Sequence, residues 1–281
     1  MNSASTFSLS PAPLGLDDCV VDIWRADLEV HPLELNRLQN YLSTDELDRA
    51  ARFHFARDRR RFIVARAILR DILARYLDQP PAELQFSYSA HGKPSLARNW
   101  DSACLRFNIS HASSVAVYGI SCNREVGIDI ERIEPKWAVW EIADKFFTPN
   151  ETATLRSLPA NLLSEAFFNC WTRKEAYVKA RGTGLQTALN SFEVSLAPGE
   201  QATFLSEGES GWSLKALPID RGYVAAIAVE GHDWRPRFLK WRIRPDTTRK
   251  ASRAQTSVPR LLTRKEALLD DAEAAKIISR E

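Results

Sequence analysis

The stretch Gly127-Ile128-Asp129-Ile130-Glu131 carries the pattern that decides the fold. Successive side chains of a β-strand point to opposite faces, so Asp129 and Glu131 share one face while Ile128 and Ile130 share the other. The isoleucines predict a strand with one face in a core. Taken alone, the acidic face is also typical of an ordinary half-exposed strand. Two adjacent carboxylates repel each other unless a cation lies between them, which makes this strand a candidate metal site.

A second stretch lies downstream, in a segment whose apolar spacing predicts a helix from about Ser164 to Arg181. Trp171, Glu175 and Lys179 follow one another at four-residue spacing and therefore line one stripe of that helix. A Glu-Lys pair at this spacing is common on helix surfaces, and Trp171 is compatible with a core position. The combination with the acidic strand predicts that strand and helix meet at one site.

The residue types at that site indicate its chemistry. Oxygen ligands suit Mg²⁺, with Mn²⁺ as the alternative, because these hard cations keep positions open for the phosphates of a substrate. We expect the metal ligands to be Asp129, Glu131 and Glu175. Lys179 would neutralise charge on a phosphate. The pattern therefore predicts a site that cleaves a diphosphate.

The order of predicted elements indicates an α+β fold in which a block of strand, helices and short, mostly antiparallel strands occurs twice. A polar break at Asn123-Arg124-Glu125 separates the blocks. We expect an N-terminal half over residues 18–123 and a C-terminal half carrying the metal site over residues 124–245. The predicted late strands Ser191 to Leu196 and Phe238 to Arg244 belong to the second block. Residues 246–281 form a tail, a linker followed by a possible short helix.

Composition narrows the classes of partner. The chain has 281 residues, and 38 Lys and Arg nearly balance 36 Asp and Glu, so we expect no nucleic acid and no membrane as partner. No run approaches the roughly 18 apolar residues of a membrane span, and the start lacks the order of a secretory signal. We therefore expect a cytoplasmic protein. Four cysteines without a CxxC pair indicate buried, reduced thiols and disfavour zinc; they are Cys19, Cys104, Cys122 and Cys170.

These motifs make the chain resemble the Sfp-type 4′-phosphopantetheinyl transferases, whose signatures are a Gly-x-Asp-x-Glu strand and a Trp-x-x-Lys-Glu-(Ala/Ser)-x-x-Lys helix. Asn108-Ile109-Ser110-His111 and Gly92-Lys93-Pro94 are similar to two further motifs of that family. The resemblance covers about Asp18 to Arg244. It implies two similar halves related by pseudo-two-fold symmetry, with coenzyme A in the cleft between them and its diphosphate on the metal.

Carried over residue by residue, the resemblance implies that Ser110 and His111 contact nucleotide phosphates and that Lys93 lies near the 3′-phosphate end. Lys179 would hold the diphosphate. Arg61 matches the position of a phosphate-binding arginine, but Arg57 and Arg60 compete for that assignment.

The implied reaction is attack by a serine of an apo acyl or peptidyl carrier protein on coenzyme A, with release of adenosine 3′,5′-bisphosphate. Glu175 and Lys179 would be the catalytic residues. Glu175 is the candidate base, acting directly or through a metal-bound water. The resemblance also implies a monomer, because one chain contains both halves.

Two other readings are compatible with parts of the sequence. A Mg²⁺-dependent nuclease also uses clustered carboxylates and a lysine, although such enzymes place the lysine on the acidic strand. A nonenzymatic adaptor could bind an acidic partner through the arginine-rich helix from Arg57 to Arg75. That reading leaves the acidic cluster unexplained.

Overall fold

The computed structural model describes residues 7–9, 14–97, 104–134 and 139–244. The chain divides into a compact unit, Met1–Arg242, and a second unit, Ile243–Glu281, whose predicted linker and helix lie outside the described residues. The described helices are α1 (Pro32–Gln39), α2 (Thr44–Ala51), α3 (Ala56–Leu77), α4 (Val139–Phe146), α5 (Pro149–Ser157) and α6 (Leu163–Arg181). The described strands are β1 (Ser8–Leu9), β2 (Val20–Asp27), β3 (Phe86–Tyr88), β4 (Pro94–Leu96), β5 (Leu105–Ala112), β6 (Val115–Cys122), β7 (Val126–Arg132), β8 (Trp212–Ala216), β9 (Tyr223–Glu230) and β10 (Arg235–Lys240).

The strands form two main sheets that repeat one topology. The first sheet has the order β1-β10-β2-β6-β5 and the second the order β7-β9-β8, while β3 and β4 form a separate hairpin. In each half a strand is followed by helices, the last of them the longest, and then by a hairpin whose second strand pairs with the first strand. This repeat of antiparallel pairs packed with helices confirms the predicted α+β fold of two similar halves.

The main core lies between the two sheets. Apolar residues of β2 and β6 meet those of β7 and β9 in one buried cluster, which includes Val21, Val117, Ile128 and Ile227. On the outer side of the first sheet, the Tyr118 hydroxyl donates to a backbone carbonyl of α3. On the second sheet, α6 packs against β7 and β9. Each sheet is thus covered by a long helix on one face and by the other half on the opposite face.

Local sequence signals set the helix boundaries. Ser43 and Thr148 begin α2 and α5 with capping boxes, in which the capping side chain and a glutamate three residues on satisfy each other's free backbone N–H groups. Gly182 ends α6 with φ of 65°, a left-handed conformation that glycine adopts without strain. The bounds of α6 agree with the helix predicted from about Ser164 to Arg181.

Two predicted strands of the second block were wrong in pairing or type. Ser191 to Leu196 contains the end of a 3-10 turn, Leu189–Ser191, and a single bridge from Val194 to Phe204 instead of a strand. The last strand, β10, belongs to the first sheet and pairs in parallel with β2. A side-chain contact across this pair favours that register, since Arg237 donates to both carboxylate oxygens of Asp22 at 2.6 Å. The domain boundary after residue 123 stays a prediction.

The expectation of four buried, reduced cysteines was also wrong. Cys104 and Cys122 form a disulfide, and Cys19 is exposed, so only Cys170 is a buried free thiol. The pairing follows from the β5–β6 hairpin, in which Leu105 lies opposite Cys122 and leaves Cys104 one residue away. Among the described residues, no helix combines the length and the apolar character needed to cross a membrane.

Candidate active site

Strand β7 presents its two faces as the sequence predicts. Ile128 and Ile130 are buried in the core between the sheets, which directs Asp129 and Glu131 to the opposite face, toward α6. The buried side chain of Asn108 accepts a hydrogen bond from the backbone N–H of Ile128 at 3.0 Å. Because Asn108 lies on β5, this bond fixes the position of the acidic strand relative to the first half of the chain.

Helix α6 passes unusually close to β7 at Gly127. A Cβ atom at this position would lie 2.1 Å from the carbonyl oxygen of Ala176 and 2.2 Å from the backbone nitrogen of Ala180. Only glycine allows this approach. The glycine of the acidic strand therefore lets the stripe of α6 that carries Glu175 and Lys179 reach Asp129.

Three polar side chains meet at the junction of β5, β7 and α6. Ser110 Oγ donates to Asp129 Oδ1 at 2.8 Å, and Lys179 Nζ donates to the same oxygen at 2.5 Å and to Ser110 Oγ at 3.0 Å. The second oxygen of the Asp129 carboxylate, Oδ2, is buried and has no hydrogen-bond partner. A buried carboxylate oxygen without a partner costs free energy, so its retention here indicates a ligand that the protein atoms do not supply.

Burial and neighbouring charges raise the pKa of the other two carboxylates, Glu131 and Glu175. Burial, and then the charges of Asp129 and Glu175, raise the pKa of Glu131 against the opposing effect of Lys179. Burial also raises the pKa of Glu175 to about 7, with Lys179 lowering it and Asp129 raising it. Burial disfavours the charge on Lys179, but Asp129, Glu175 and Glu131 together raise its pKa. The strand and the helix thus bring three acids and one lysine into a single electrostatic cluster.

The oxygen atoms of this cluster are of the type that a hard divalent cation binds. Among the residues that the structure describes, no group of three or more His, Cys, Asp or Glu side chains is arranged to hold a metal ion. Carboxylate oxygens are nevertheless the ligands that Mg²⁺ prefers, and the buried Oδ2 of Asp129 has no hydrogen-bond partner among the described residues. A cation there would offset the burial and the carboxylate repulsion that raise the pKa of both glutamates.

A second group of basic residues lies beside Ser110. Burial by neighbouring protein atoms lowers the pKa of His111, the charges of Lys179 and Arg61 lower it further, and Asp58 raises it. Of the competing arginines, Arg60 donates to the carbonyl of Val30, and Arg57 pairs with its neighbour Asp58. Arg61 is the one whose charge reaches His111.

Lys93 lies at the far end of α6. Its ammonium donates to the carbonyl of Ala180 and pairs with Glu125, both at 2.8 Å. The β3–β4 turn that carries Lys93 also touches the turn after α6, since Gly184 lies against the ring of His91. The structure therefore places Lys93 at the contact between the halves, engaged by protein groups, and its predicted contact with a nucleotide stays a prediction.

Two residues of the helical motif, Lys174 and Trp171, are buried in the protein interior. Lys174 is fully buried, donates to the carbonyls of Leu189 and Phe192 and pairs with Glu151 at 2.9 Å. Trp171 is buried and packs edge-on against Phe146.

Sequence reasoning did not assign a role to Lys174. Its position one residue before Glu175 turns it about 100° away from the acidic stripe, and that offset is the signal that separates it from Lys179.

Comparison with known proteins is consistent with this geometry. Residues 125–228 match the family described as the 4′-phosphopantetheinyl transferase superfamily, and residues 29–122 match 4′-phosphopantetheinyl transferase, N-terminal. The chain is 40% identical over 233 residues to the 4′-phosphopantetheinyl transferase HetI of Nostoc sp., covering 83% of this chain and 97% of that protein. It is 27% identical over 202 residues to the 4′-phosphopantetheinyl transferase Sfp of Bacillus subtilis, covering 72% of this chain and 88% of Sfp.

The chain belongs to the 4′-phosphopantetheinyl transferase superfamily. Within it, the chain is an enzyme of the Sfp type, with the acidic strand in one half and Ser110 and His111 in the other. Family membership decides against the nonenzymatic adaptor and the nuclease.

Proposed function

We propose that this enzyme transfers the 4′-phosphopantetheine arm of coenzyme A to a serine of an apo acyl or peptidyl carrier protein. The reaction depends on Mg²⁺ and releases adenosine 3′,5′-bisphosphate. The observation that carries the proposal is the buried, unpartnered Oδ2 of Asp129 within a cluster of two further carboxylates and Lys179. Asp129, Glu131 and Glu175 would hold the cation, which when bound neutralises diphosphate charge and withdraws electron density from phosphorus.

Lys179 and Ser110 bind and orient the diphosphate in this proposal. Lys179 is partly exposed, and its ammonium is already held at Asp129 Oδ1, so it needs little reorganisation to contact a phosphate oxygen. The Ser110 hydroxyl donates a hydrogen bond to the same carboxylate oxygen and accepts one from Lys179. Groups that are ordered before the substrate binds stabilise developing charge more effectively than groups that must reorganise.

Glu175 acts as the general base for the attacking serine. Its carboxylate lies in the cluster with Asp129 and Lys179, beside the place where the serine hydroxyl would meet the diphosphate. The serine Oγ forms a bond to the β-phosphorus of coenzyme A, and its proton passes to the Glu175 carboxylate. The bond from the β-phosphorus to the bridging oxygen breaks, and that oxygen leaves with adenosine 3′,5′-bisphosphate.

The remaining basic residues recognise the rest of coenzyme A. Arg61 and His111 lie on the first-half side of the cluster and would contact its phosphates, and Lys93 would lie near the 3′-phosphate end. Because the two halves of one chain already supply both sides of this site, the enzyme would work as a monomer. The carrier protein would approach the face on which the half-buried Glu175 reaches solvent.

The test is a transfer assay. The purified full chain is mixed with coenzyme A, Mg²⁺ and a panel of apo carrier proteins, and the carriers are weighed by intact-protein mass spectrometry. We expect a gain of one phosphopantetheine on at least one carrier, lost with a chelator and lost in Glu175→Gln. The absence of a gain on every carrier would contradict the proposal.

A further inference from the structure

Arg61 already holds a carboxylate in this structure. Its Nε and Nη2 atoms both donate to Glu29 Oε1, at 3.0 and 2.8 Å. A guanidinium donates through the same Nε–Nη2 edge when it binds an oxyanion such as a phosphate. Glu29 lies 32 positions before Arg61, at the exit of β2, so the contact joins two separate elements.

The Glu29–Arg61 pair lies at the corner of the first half that carries His111. The segment that contains Glu29 is bonded to the β5–β6 turn, through the Leu28 N–H and the Ser114 carbonyl at 2.8 Å. On its other side, Arg60 of α3 donates to the carbonyl of Val30. His111 lies on β5, three residues before Ser114, and its pKa responds to the charge of Arg61.

The two members of this pair differ in exposure. The side chain of Arg61 is 18% exposed, whereas that of Glu29 is 57% exposed. Glu29 can therefore turn further into solvent, while the more buried guanidinium of Arg61 keeps its place. Exposed ion pairs contribute little free energy, so an incoming phosphate can displace the carboxylate.

We propose that Glu29 is a displaceable counter-ion that occupies the phosphate-binding face of Arg61 until the 3′-phosphate of coenzyme A replaces it. The inference rests on the proposed function, because it takes coenzyme A as the substrate. In the free enzyme Glu29 orients Arg61 and neutralises its charge. When coenzyme A binds, the Glu29 carboxylate swings out. The loss of the Glu29–Arg61 ion pair costs free energy and lowers the affinity for coenzyme A by that amount.

The experiment compares the binding of coenzyme A and of dephospho-coenzyme A, which lacks the 3′-phosphate, by titration calorimetry with the full-length protein and Mg²⁺. Glu29→Gln keeps the shape of the side chain and removes its charge. We expect it to tighten the binding of coenzyme A by about twofold to fivefold, the range set by an exposed ion pair, and to leave dephospho-coenzyme A unchanged. Glu207→Gln is the matched control, since Glu207 is an exposed acid in a surface turn before β8, two strands away from β7.

Arg61→Gln tests the same contact from the other side. It should weaken the binding of coenzyme A and leave that of dephospho-coenzyme A nearly unchanged, and adding Glu29→Gln to it should then give no gain. Glu29→Gln binding both ligands as the wild type does, or tightening both equally, would overturn the inference. A wild-type enzyme that does not bind coenzyme A would instead contradict the proposed function itself.

Discussion

Gly127 of β7 lies directly against Ala176 of α6, with no room for a side chain between strand and helix. We expect Gly127→Ala to force the two elements apart, because the atoms that its Cβ would meet are backbone atoms that cannot rotate away. Overpacking of this kind should lower the free energy of unfolding by about 1–3 kcal/mol. Urea denaturation of the variant measures that loss.

The same substitution should reduce transfer by more than its effect on stability. Separating β7 from α6 moves Lys179 away from Asp129, and a misplacement of about 1 Å in a catalytic arrangement can lower a rate about a hundredfold. Gly208→Ala is the control, because nothing lies within 4 Å of a Cβ at that position. Equal activity of the two alanine variants at a temperature where both are folded would contradict this role for Gly127.

Removal of the charge of Asp129 should abolish the response of the protein to Mg²⁺. A ligand that binds only the folded state stabilises it by about 2.7 kcal/mol at a hundredfold excess over its dissociation constant. We therefore expect Mg²⁺ to raise the melting temperature of the wild type and to leave that of Asp129→Asn unchanged. Differential scanning calorimetry at increasing Mg²⁺ makes this measurement without any substrate.

The control for this prediction is Glu230→Gln, which removes the charge of an acid at the end of β9, on the side of the sheet where β7 begins. This variant should keep the wild-type response to Mg²⁺. An equal rise in melting temperature for Asp129→Asn would show that the cation binds elsewhere, and would contradict the assignment of Asp129 as a ligand.

The sequence predicted the elements of this fold more fully than their partners. The alternation in β7 and the four-residue spacing in α6 depend on neighbours along the chain, and both agree with the structure. The pairing of β10 with β2 depends on residues more than 200 positions apart, such as Arg237 and Asp22, and no local pattern specifies it. The contact of Glu29 with Arg61 has the same character, since its two members are ordinary surface charges when the sequence alone is considered.

The two lysines of the helical motif should respond differently to substitution by methionine. Lys174 is buried with Glu151 and two backbone carbonyls, so Lys174→Met leaves the buried carboxylate of Glu151 without its cation. Breaking a buried ion pair costs about 3–5 kcal/mol, and urea denaturation should show a loss of that size. At urea concentrations below the unfolding transition of Lys174→Met, its transfer activity should fall only in proportion to the fraction of unfolded protein.

Lys179→Met should show the opposite pattern. Lys179 is partly exposed and contacts the reacting site, so its loss should lower the transfer rate about a hundredfold or more, the range for removal of one charge-stabilising group. Its effect on unfolding should be the smaller of the two. A stable, inactive Lys174→Met or an unstable, active Lys179→Met would reverse the assignment of structural and catalytic lysines.

The contact that fixes β10 to the first sheet should matter for stability and leave the chemistry intact. Asp22 is fully buried and receives two hydrogen bonds from Arg237, and Tyr76 of α3 also donates to it. Arg237→Ala leaves this carboxylate with a neutral partner and without its cation. Since Arg237 is itself 33% exposed, the loss of unfolding free energy should be smaller than for a fully buried pair, about 1–3 kcal/mol.

Arg235→Ala, on the same strand with an exposed side chain, is the matched control and should change the free energy of unfolding by less than about 0.5 kcal/mol. Hydrogen exchange should locate the effect of Arg237→Ala in β10 and β2, while transfer per folded molecule stays at the wild-type level. Loss of transfer in a folded Arg237→Ala protein would mean that β10 supports the active site as well as the sheet.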